Sequence, residues 1–464
     1  MRFNRVPDIA RPAPSPLTHG GAIAAVLSPE QKLRRSVLSC LLWENEFYED
    51  GQAIAERIAD LAAACSPQFV ADLAREARQV HGLRHAPLLL VLDLVRRGGP
   101  GVADAVDAVI GRADEMAELV ALYWRNGRKP LSKQMKAGLA RAFCRFDAYQ
   151  LAKYDRPGLV RLRDVMFLVH PRPRDAAQAE LFRQVADRSL PVPDTWEVAL
   201  SAGGDRKAVF ERLIAENRLG YLALLRNLRA MAEAGCDRRL VSEAIIARRG
   251  ADLVFPFRYV AAARSAPIFE PALDEAFLAA TREGPRLPGT TLLIVDVSGS
   301  MYGPRVSQRS DITRAVAAAA LGAIARSLCE DVLIYATAGS DPLRRHKTQI
   351  VPARQGMALV DAIYKSMVPL GGGGIFLNQV MRFLRQRHPE VDRVIVITDE
   401  QDCGVGAADA PQNAPAYGTR ANYLINVASA RNGIGYERSG WTHIDGFSEA
   451  VLRYILALEE VSGR

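Results

Sequence analysis

The sequence predicts two domains of different class, an α-helical repeat domain followed by a doubly wound α/β domain. The chain has 464 residues, which is more than one ordinary hydrophobic core organises. From about residue 28 to 285, apolar residues recur at helical spacing with hardly a break. Beyond residue 286, short apolar runs alternate with helical stretches. We therefore expect an extended leader over 1–20, a helical domain over 21–285 and an α/β domain over 286–464.

The leader is predicted from its prolines, which stand at positions 7, 12, 14 and 16. Proline removes a backbone donor and biases the preceding residue toward extended backbone. The segment also lacks the apolar stretch of a secretory signal peptide.

The helical domain is predicted from segments that place apolar residues at i, i+3, i+4 and i+7. Ser66 and Ser132 stand where N-caps are expected. Short helices in antiparallel pairs favour an α-solenoid of the HEAT or armadillo kind. No crisp sequence period accompanies this rhythm, so an irregular helical bundle stays open as the alternative. The clearest segments are PQFVADLAREARQVH, PLLLVLDLVRR, AVDAVIGRADEMAELVALYWR and KQMKAGLARAF.

The α/β domain follows a Gly- and Pro-rich linker at 283–289. Its strands are predicted from all-apolar runs, which indicate a parallel sheet covered by helices on both faces. The runs are TLLIVDV, DVLIYAT, DRVIVITDE and NYLINVAS. The helices are predicted at SDITRAVAAAALGAIARSL, GMALVDAIYKSM, IFLNQVMRFLRQRH and FSEAVLRYILALEEV.

A candidate metal site follows two of these strands. Asp296, Ser298 and Ser300 come directly after one buried run, and Asp399 ends another. Ligands of open α/β sheets bind at the carboxyl ends of strands, near the point where strand order reverses. Carboxylate and hydroxyl oxygens suit a divalent cation, Mg²⁺ or Mn²⁺. The alternative is that these residues cap the following turn and helix.

A basic segment indicates a polyanionic partner. Residues 125–174 contain 13 Lys or Arg against 3 Asp, an excess of 10, whereas the whole chain carries a net charge of +8. Such an excess favours phosphate binding, with an acidic protein surface as the alternative. The candidate RNA-binding residues are Arg125, Arg128, Lys129, Lys133, Lys136, Lys153, Arg156, Arg161, Arg163, His170 and Arg172.

Aromatic residues in the same segment are candidates to stack on unpaired bases, as RNA recognition favours. They are Tyr123, Trp124, Tyr149 and Tyr154. Trp124 and Tyr149 stand in apolar helical contexts, which predicts that these two are core residues instead.

Other function classes find little support in the sequence. No Gly-x-Ser-x-Gly or nucleotide-binding loop is present, so we expect no catalytic residues and no enzyme. No apolar run reaches the roughly 18 residues of a membrane span. Six scattered cysteines without a C-x-x-C pair argue against a zinc site or disulfide framework and favour the cytoplasm.

The residues DVSGSM resemble the metal-ion-dependent adhesion site of von Willebrand A domains. That family also supplies a threonine ligand from a Gly-Gly-Thr loop. Here the corresponding stretch is LGGGGIFLNQ, so Gly374 or a neighbouring glycine stands where the hydroxyl is expected. The resemblance therefore implies a weak divalent-cation site.

The order of motifs along the chain resembles the TROVE family, which includes the Ro autoantigen and its bacterial counterparts. The likeness extends from about Gly21 to the end. It rests on AKYDRPGLVRLRDVMFLVHPRP, DTWEVAL, YLALLRNLRAM, FPFRYVAA and DVSGSM, in that order. The resemblance implies a monomeric ring of HEAT-like helix pairs closed by a von Willebrand A domain.

The resemblance also implies a function and partners. Family members bind small non-coding Y RNAs on a basic outer surface, take single-stranded RNA ends into the central hole, and serve RNA quality control. A Y RNA can tether a 3′ exoribonuclease. By position, Lys153, Arg163 and His170 fall on the family's RNA-binding helix, whereas Leu162 replaces a family histidine.

Two other functions stay open. One is a protein–protein adaptor in which the metal site captures a partner's carboxylate. The other is a metal-dependent nuclease, for which Glu400 and Asp402 would supply additional carboxylates. Within the helical domain, Arg226 and Asn227 are expected to bond to neighbouring backbone.

Overall fold

The computed structural model describes residues 28–38, 51–155, 157–252, 254, 256–282, 286–303, 312–405, 408–410, 413–427, 440–445, 455, 456 and 459. The leader over 1–20 and most of the last predicted helix lie outside these residues. In the described part, helices occupy the chain up to residue 282. They are α1 (Pro29–Leu38), α2 (Gly51–Ala63), α3 (Pro67–Gln79), α4 (His85–Arg97), α5 (Val102–Val109), α6 (Ala113–Tyr123), α7 (Lys133–Phe143), α8 (Ala148–Tyr154), α9 (Leu162–Val169), α10 (Ala176–Asp187), α11 (Trp196–Ser201), α12 (Arg206–Ala215), α13 (Tyr221–Glu233), α14 (Arg238–Ala247), α15 (Phe257–Ser265) and α16 (Glu270–Arg282).

The two predicted N-caps are confirmed. Ser66 caps α3 by accepting from the backbone N–H of Phe69, and Pro67 opens that helix. Ser132 caps α7 by accepting from Met135 N–H at 3.2 Å. A hydroxyl at this position satisfies a donor that has no partner within the helix.

One predicted helix is two. The segment from Val102 to Tyr123 breaks at residues 110–112, between α5 and α6. The cause is a long-range contact, because Arg78 crosses this point to reach Glu115 at 3.0 Å. A side chain at Gly111 would overlap the Arg78 guanidinium. The break is therefore set by tertiary packing that periodicity does not record.

Successive helices pack as stacked pairs. Each of α3, α5 and α7 contacts the helix two positions further on, and so do α12 and α14. This is the contact pattern of helical repeat proteins. No described helix is long and apolar enough to cross a membrane.

The hydrophobic core clusters divide the helices at a different residue from the change in composition. One cluster contains residues from Leu33 to Val185, on the first ten helices. A second extends from Phe210 to Ile455 and joins the later helices to the sheet. A third, from Leu292 to Trp441, lies within the α/β part. The helices from α12 onward are therefore packed with the α/β part as one body.

The α/β part contains a six-stranded sheet in the order β3-β2-β1-β4-β5-β6. The order reverses between β1 and β4, as in doubly wound folds. The strands are β1 (Leu287–Asp296), β2 (Cys329–Ser340), β3 (Arg345–Ile350), β4 (Arg393–Thr398), β5 (Ala421–Asn426) and β6 (Thr442–Asp445). The helices described after residue 286 are α17 (Arg314–Leu328), α18 (Gly356–Lys365), α19 (Met367–Leu370) and α20 (Leu377–Arg387).

The four predicted strands are present and pair in parallel. The expectation of a purely parallel sheet is wrong at one edge, where β3 pairs antiparallel to β2. The sequence of β3, RHKTQI, is polar and lies half exposed, so it lacks the apolar run by which buried strands are predicted.

Helix α17 lies between the sheet and the helical domain. It contacts β1, β2 and β4 on one side and α15 and α16 on the other. Its sequence, RAVAAAALGAIARSL, is rich in alanine because nearly every residue is buried and close approach is required from both sides. The first residue of this helix, Arg314, is buried at the sheet's carboxyl edge.

The two ends of the described chain meet. Helix α1 contacts β6, the last strand. At the start of the central strand β4, the buried Arg393 forms an ion pair with Glu459 and donates to Thr291 Oγ1 at 2.9 Å. These contacts bring the first helix and the C-terminal segment against the α/β part.

Candidate functional sites: a carboxylate pair and a basic surface

The two predicted metal-site carboxylates lie side by side. Asp296 is the last residue of β1, and Asp399 directly follows β4, the neighbouring parallel strand. Both are completely buried. The strand order reverses between these two strands, so the pair stands at the position where doubly wound folds bind ligands.

Asp296 already has protein donors on both carboxylate oxygens. One oxygen accepts from Ser298 N–H at 2.8 Å, and the other from Thr398 Oγ1 at 2.7 Å. Burial and the neighbouring charge of Asp399 raise the pKa of Asp296 to about 7. Thr398 was not identified from the sequence, although it directly precedes Asp399.

Asp399 is held by a different set of donors. Its Oδ2 accepts from Gln401 Nε2 at 3.1 Å and lies 3.6 Å from Nη1 of Arg314. Burial raises the pKa of Asp399, while the Arg314 charge and a hydrogen bond from Ser300 act in the opposite direction. A buried cation that the sequence analysis did not assign thus belongs to this site.

The two serines contact each other, with 3.1 Å between Ser298 Oγ and Ser300 Oγ. The glycine-rich loop closes over them: a side chain at Gly299 would overlap the Gly372 carbonyl. A side chain at Gly374 would overlap Cys403 Sγ. The space of the expected threonine is therefore filled by a neighbouring cysteine.

The additional carboxylates considered for a nuclease are not arranged around the pair. Asp402 accepts from Leu377 N–H at 2.8 Å and from Gly404 N–H at 2.6 Å, so it holds the backbone at the start of α20. Among the described residues, no group of three or more His, Cys, Asp or Glu is placed to hold a metal ion.

The basic candidates lie on α7 to α9 and the adjoining loops. Arg125, Arg128, Lys129, Lys133, His170 and Arg172 are exposed, and Lys136, Lys153, Arg161 and Arg163 are half-buried. Arg156 lies outside the described residues.

Within the part of the chain that the structure describes, these cations have no carboxylate partner. In the described part of the chain, no carboxylate lies within ion-pair distance of the ten described candidates. Two arginines of the same segment behave differently: Arg141 pairs with Asp104 at 2.8 Å, and Arg145 pairs with Asp107. Arg141 and Arg145 therefore hold helices together, whereas the ten described candidates present charge that no described carboxylate neutralises.

The free cations form two groups. Seven belong to the amino-terminal ends of α7 and α9 and the loop before α7, where the helix dipole adds positive potential. We call these the amino-end group: Arg125, Arg128, Lys129, Lys133, Lys136, Arg161 and Arg163. The other three belong to the carboxyl-terminal ends of α8 and α9, and the end of α9 is about 12 Å along the helix axis from its start. They form the carboxyl-end group: Lys153, His170 and Arg172.

The aromatic residues differ from expectation. Tyr149 is 49% exposed, so its prediction as a core residue is wrong. Tyr123 is buried and donates to the Pro130 carbonyl, while Trp124 is half-buried and donates to the Lys129 carbonyl at 2.8 Å. Phe167, which the sequence analysis missed, is 51% exposed. It could have been found from its spacing, four residues after Arg163 on one helix face.

Cations lie over both exposed rings. Lys153 Nζ is 5.4 Å from the centre of the Tyr149 ring, and the Arg163 guanidinium is 5.4 Å from the centre of the Phe167 ring. An exposed ring beside an unneutralised cation offers a nucleic acid both stacking and charge.

Comparison with known proteins finds a family match within the helical part of the chain. Residues 186–265 match the family model of the TROVE domain, which confirms the resemblance predicted from the sequence. The expectation of a non-enzymatic protein agrees with this match. No curated protein sequence matches the chain.

Among solved structures, the chain is similar to the crystal structure of the Deinococcus radiodurans Ro (RSR) protein. The TM-score is 0.58 at 20% sequence identity, over 93% of this chain and 99% of that chain. At this identity the likeness shows a shared fold.

The TROVE match covers three of the motifs on which the resemblance rests. Within it, Thr195 caps α11, Trp196 stacks on Phe210, and Asn227 donates to the Ala223 carbonyl at 2.8 Å, as expected. Arg226, in contrast, is exposed and was wrongly expected to bond to backbone. The basic segment precedes the matched residues, so its assignment depends on the geometry described above.

Proposed function

We propose that the protein is a non-enzymatic RNA-binding scaffold of the Ro type, which binds structured RNA through the amino-end and carboxyl-end groups. The single observation that carries this proposal is the absence of ion-pair partners, within the described residues, for ten cations on α7 to α9 and the adjoining loops. Keeping like charges together without partners costs stability, and phosphates would relieve that cost.

The TROVE match and the fold shared with a Ro protein support the proposal. They favour small non-coding RNAs similar to Y RNA as the ligand, in RNA quality control in the cytoplasm. The exposed rings of Tyr149 and Phe167 suit unpaired bases, such as the single-stranded ends of misfolded or fragmentary RNA.

The same proposal includes the architecture. The stacked helix pairs and the contact of α1 with β6 support a monomeric, HEAT-like ring closed by the α/β domain. The sheet order and the Asp-x-Ser-x-Ser loop support a von Willebrand A-like domain over 286–464. A 3′ exoribonuclease joined through the bound RNA is the protein partner we propose.

The adaptor is the second candidate, because the four predicted metal-site side chains do converge at one edge of the sheet. It requires an open cation that captures a partner's carboxylate. It has no use for the free cations on α7 to α9, which distinguishes it from RNA binding.

The test is binding of a labelled structured RNA, with and without a 3′ single-stranded tail, across a salt series in Mg²⁺. Wild type is compared with a variant in which Lys133, Lys136, Lys153, Arg161 and Arg163 are all changed to Glu. We expect wild-type affinity to fall steeply with salt, the variant to lose binding, and the RNA to remain intact.

Binding that ignores the charge reversal would contradict the proposal and favour a protein partner. Cleavage of the RNA that survives nuclease-free repurification would contradict the non-enzymatic part alone. Equal affinity with and without the tail would remove the single-stranded ends from the proposal and leave the structured RNA.

A further inference from the structure

The carboxylate pair at the edge of the sheet does not fit a divalent cation as well as its sequence motif suggests. All four carboxylate oxygens of Asp296 and Asp399 have donors within the protein, from Ser298, Thr398 and Gln401. The Ser298 and Ser300 hydroxyls are 3.1 Å apart, at hydrogen-bond distance from each other. The expected threonine is absent, and Cys403 fills its place.

The site instead contains a cation of its own. Arg314 is 2% exposed, and its Nη1 lies 3.6 Å from Asp399 Oδ2. A buried charge is tolerated only where an opposite charge compensates it. The guanidinium and the carboxylate pair therefore need each other, since neither reaches solvent.

A divalent ion placed between the carboxylates would stand close to this guanidinium. Like charges in a buried site repel strongly because the effective dielectric constant is low. Arg314 is the first residue of α17, a helix that is packed on both sides, so its backbone cannot retreat from the site.

We propose that the Arg314 guanidinium is the resident cation of this site, and that the α/β domain holds its adhesion-type loop without a metal ion. The loop is then a structural lock between the ends of β1 and β4. It offers no open coordination position to a partner's carboxylate, which removes the basis of the adaptor function.

The first test is Mn²⁺ binding to the full-length wild-type protein, followed by electron paramagnetic resonance. The melting temperature is measured in parallel with Mg²⁺, Mn²⁺ or EDTA. We expect no saturable Mn²⁺ binding at millimolar concentration and no change of melting temperature with EDTA. Saturable binding, or a melting temperature that EDTA lowers, would overturn the proposal.

The second test removes the guanidinium. Arg314→Met preserves much of the side-chain length without the charge, and Arg326→Met, in the last turn of the same helix, is the matched control. We expect Arg314→Met to lower the melting temperature and to create Mn²⁺ binding that restores it. We expect the Arg326→Met protein to behave as wild type. A folded Arg314→Met protein that neither loses stability nor gains Mn²⁺ binding would overturn the proposal.

If Arg314→Met does not fold, a double substitution still decides the question. Arg314→Met with Asp399→Asn removes both charges of the pair, and we expect it to be more stable than either single variant. If the double variant is no more stable than the single variants, Arg314 and Asp399 do not stabilise each other, which would contradict the proposal. RNA binding uses other residues, so its outcome is independent of these tests.

Discussion

Two helical regions of the molecule carry similar numbers of arginine and lysine but differ in how many of these cations are paired with carboxylates. On α7 to α9, the described cations of the amino-end group have no carboxylate partner in the described chain. On α12 to α14 and the loops beside them, four exposed arginines are paired, whereas Arg206, Arg226 and Arg238 have no ion-pair partner in the described chain. Arg212 and Arg218 share Asp194, Arg229 pairs with Glu233, and Arg239 pairs with Glu243.

The difference teaches how to separate structural from functional charge. Exposed ion pairs within a helix contribute little to stability. They leave almost no net electric field, because their opposite charges cancel. Unpaired cations produce a field that extends about 8 Å at physiological salt. The TROVE match falls on the paired region, yet the surface suited to a polyanion lies outside it. Charge pairing therefore locates the candidate interface where the family match does not.

The largest expected effect concerns a buried, paired charge. Glu115 is completely buried and accepts from Arg78 and from the backbone of Gly111 and Arg112. Glu115→Gln leaves Arg78 without its counter-charge and should lower the free energy of unfolding by about 3 kcal/mol. Chemical denaturation measures this, with the exposed Glu233→Gln as control at less than about 0.5 kcal/mol. An equal loss of unfolding free energy in Glu115→Gln and Glu233→Gln would contradict the expectation that the buried ion pair stabilises the fold more than the exposed one.

Reversal of the free cations should act on binding and leave stability unchanged. Lys133, Lys136, Arg161 and Arg163 changed to Glu should lower RNA affinity by about 100-fold or more, because phosphate contacts dominate such binding. Changes in the carboxyl-end group, Lys153→Glu with Arg172→Glu, should cost about 10-fold. Fluorescence anisotropy at one salt concentration compares them. If the carboxyl-end variant loses more RNA affinity than the amino-end variant, the carboxyl-end group is the main RNA-binding surface.

The paired charges also predict a pH dependence of stability. Burial and the neighbouring Arg84 lower the pKa of His85 to about 4. Between the unfolded value near 6.5 and this folded value, the unfolded state binds the proton and the native state does not. Stability should therefore fall as pH drops from about 6.5 to 4, by about 1 to 3 kcal/mol for this group. Unfolding of His85→Gln across that window should show a shallower loss. An unchanged slope would exclude His85 as the cause.

A smaller effect is expected for the exposed aromatic rings. Phe167→Ala and Tyr149→Ala should each weaken binding of single-stranded RNA by about 1 kcal/mol, because one stacked base is lost. Binding of a blunt duplex should change little. The buried Tyr123 serves as the contrast, since Tyr123→Phe should affect stability and not RNA. An equal loss of affinity for duplex and single-stranded RNA would mean that the rings support the local protein structure and do not stack on unpaired bases.

Much of the fold follows from local sequence, and what does not follow has a long-range cause. The limits of α7 and the placement of Asp296 and Asp399 follow from capping, periodicity and buried apolar runs. The break between α5 and α6 does not, because it depends on Arg78, which lies far away in the chain. The edge strand β3 has no apolar run to reveal it.

The candidate sites show the same limit. The sequence indicates the excess of charge in the basic segment but not which cations lack partners, since Asp104 and Asp107 come from another helix. It indicates that a threonine ligand is missing but not that Cys403 occupies the space. The contact of Arg314 with Asp399 joins two elements that the sequence separates widely.

The most direct test of the comparison is the salt dependence of RNA binding in two matched variants. One changes Lys133, Lys136, Arg161 and Arg163 to Gln, and the other changes the paired Arg212, Arg218, Arg229 and Arg239 to Gln. Each loses four positive charges. The account predicts that the first lowers the slope of log affinity against log salt by about 4 units, since each of the four lost phosphate contacts removes about 1. It predicts a wild-type slope for the second. Equal slopes in the two variants would contradict the claim that unpaired cations form the interface.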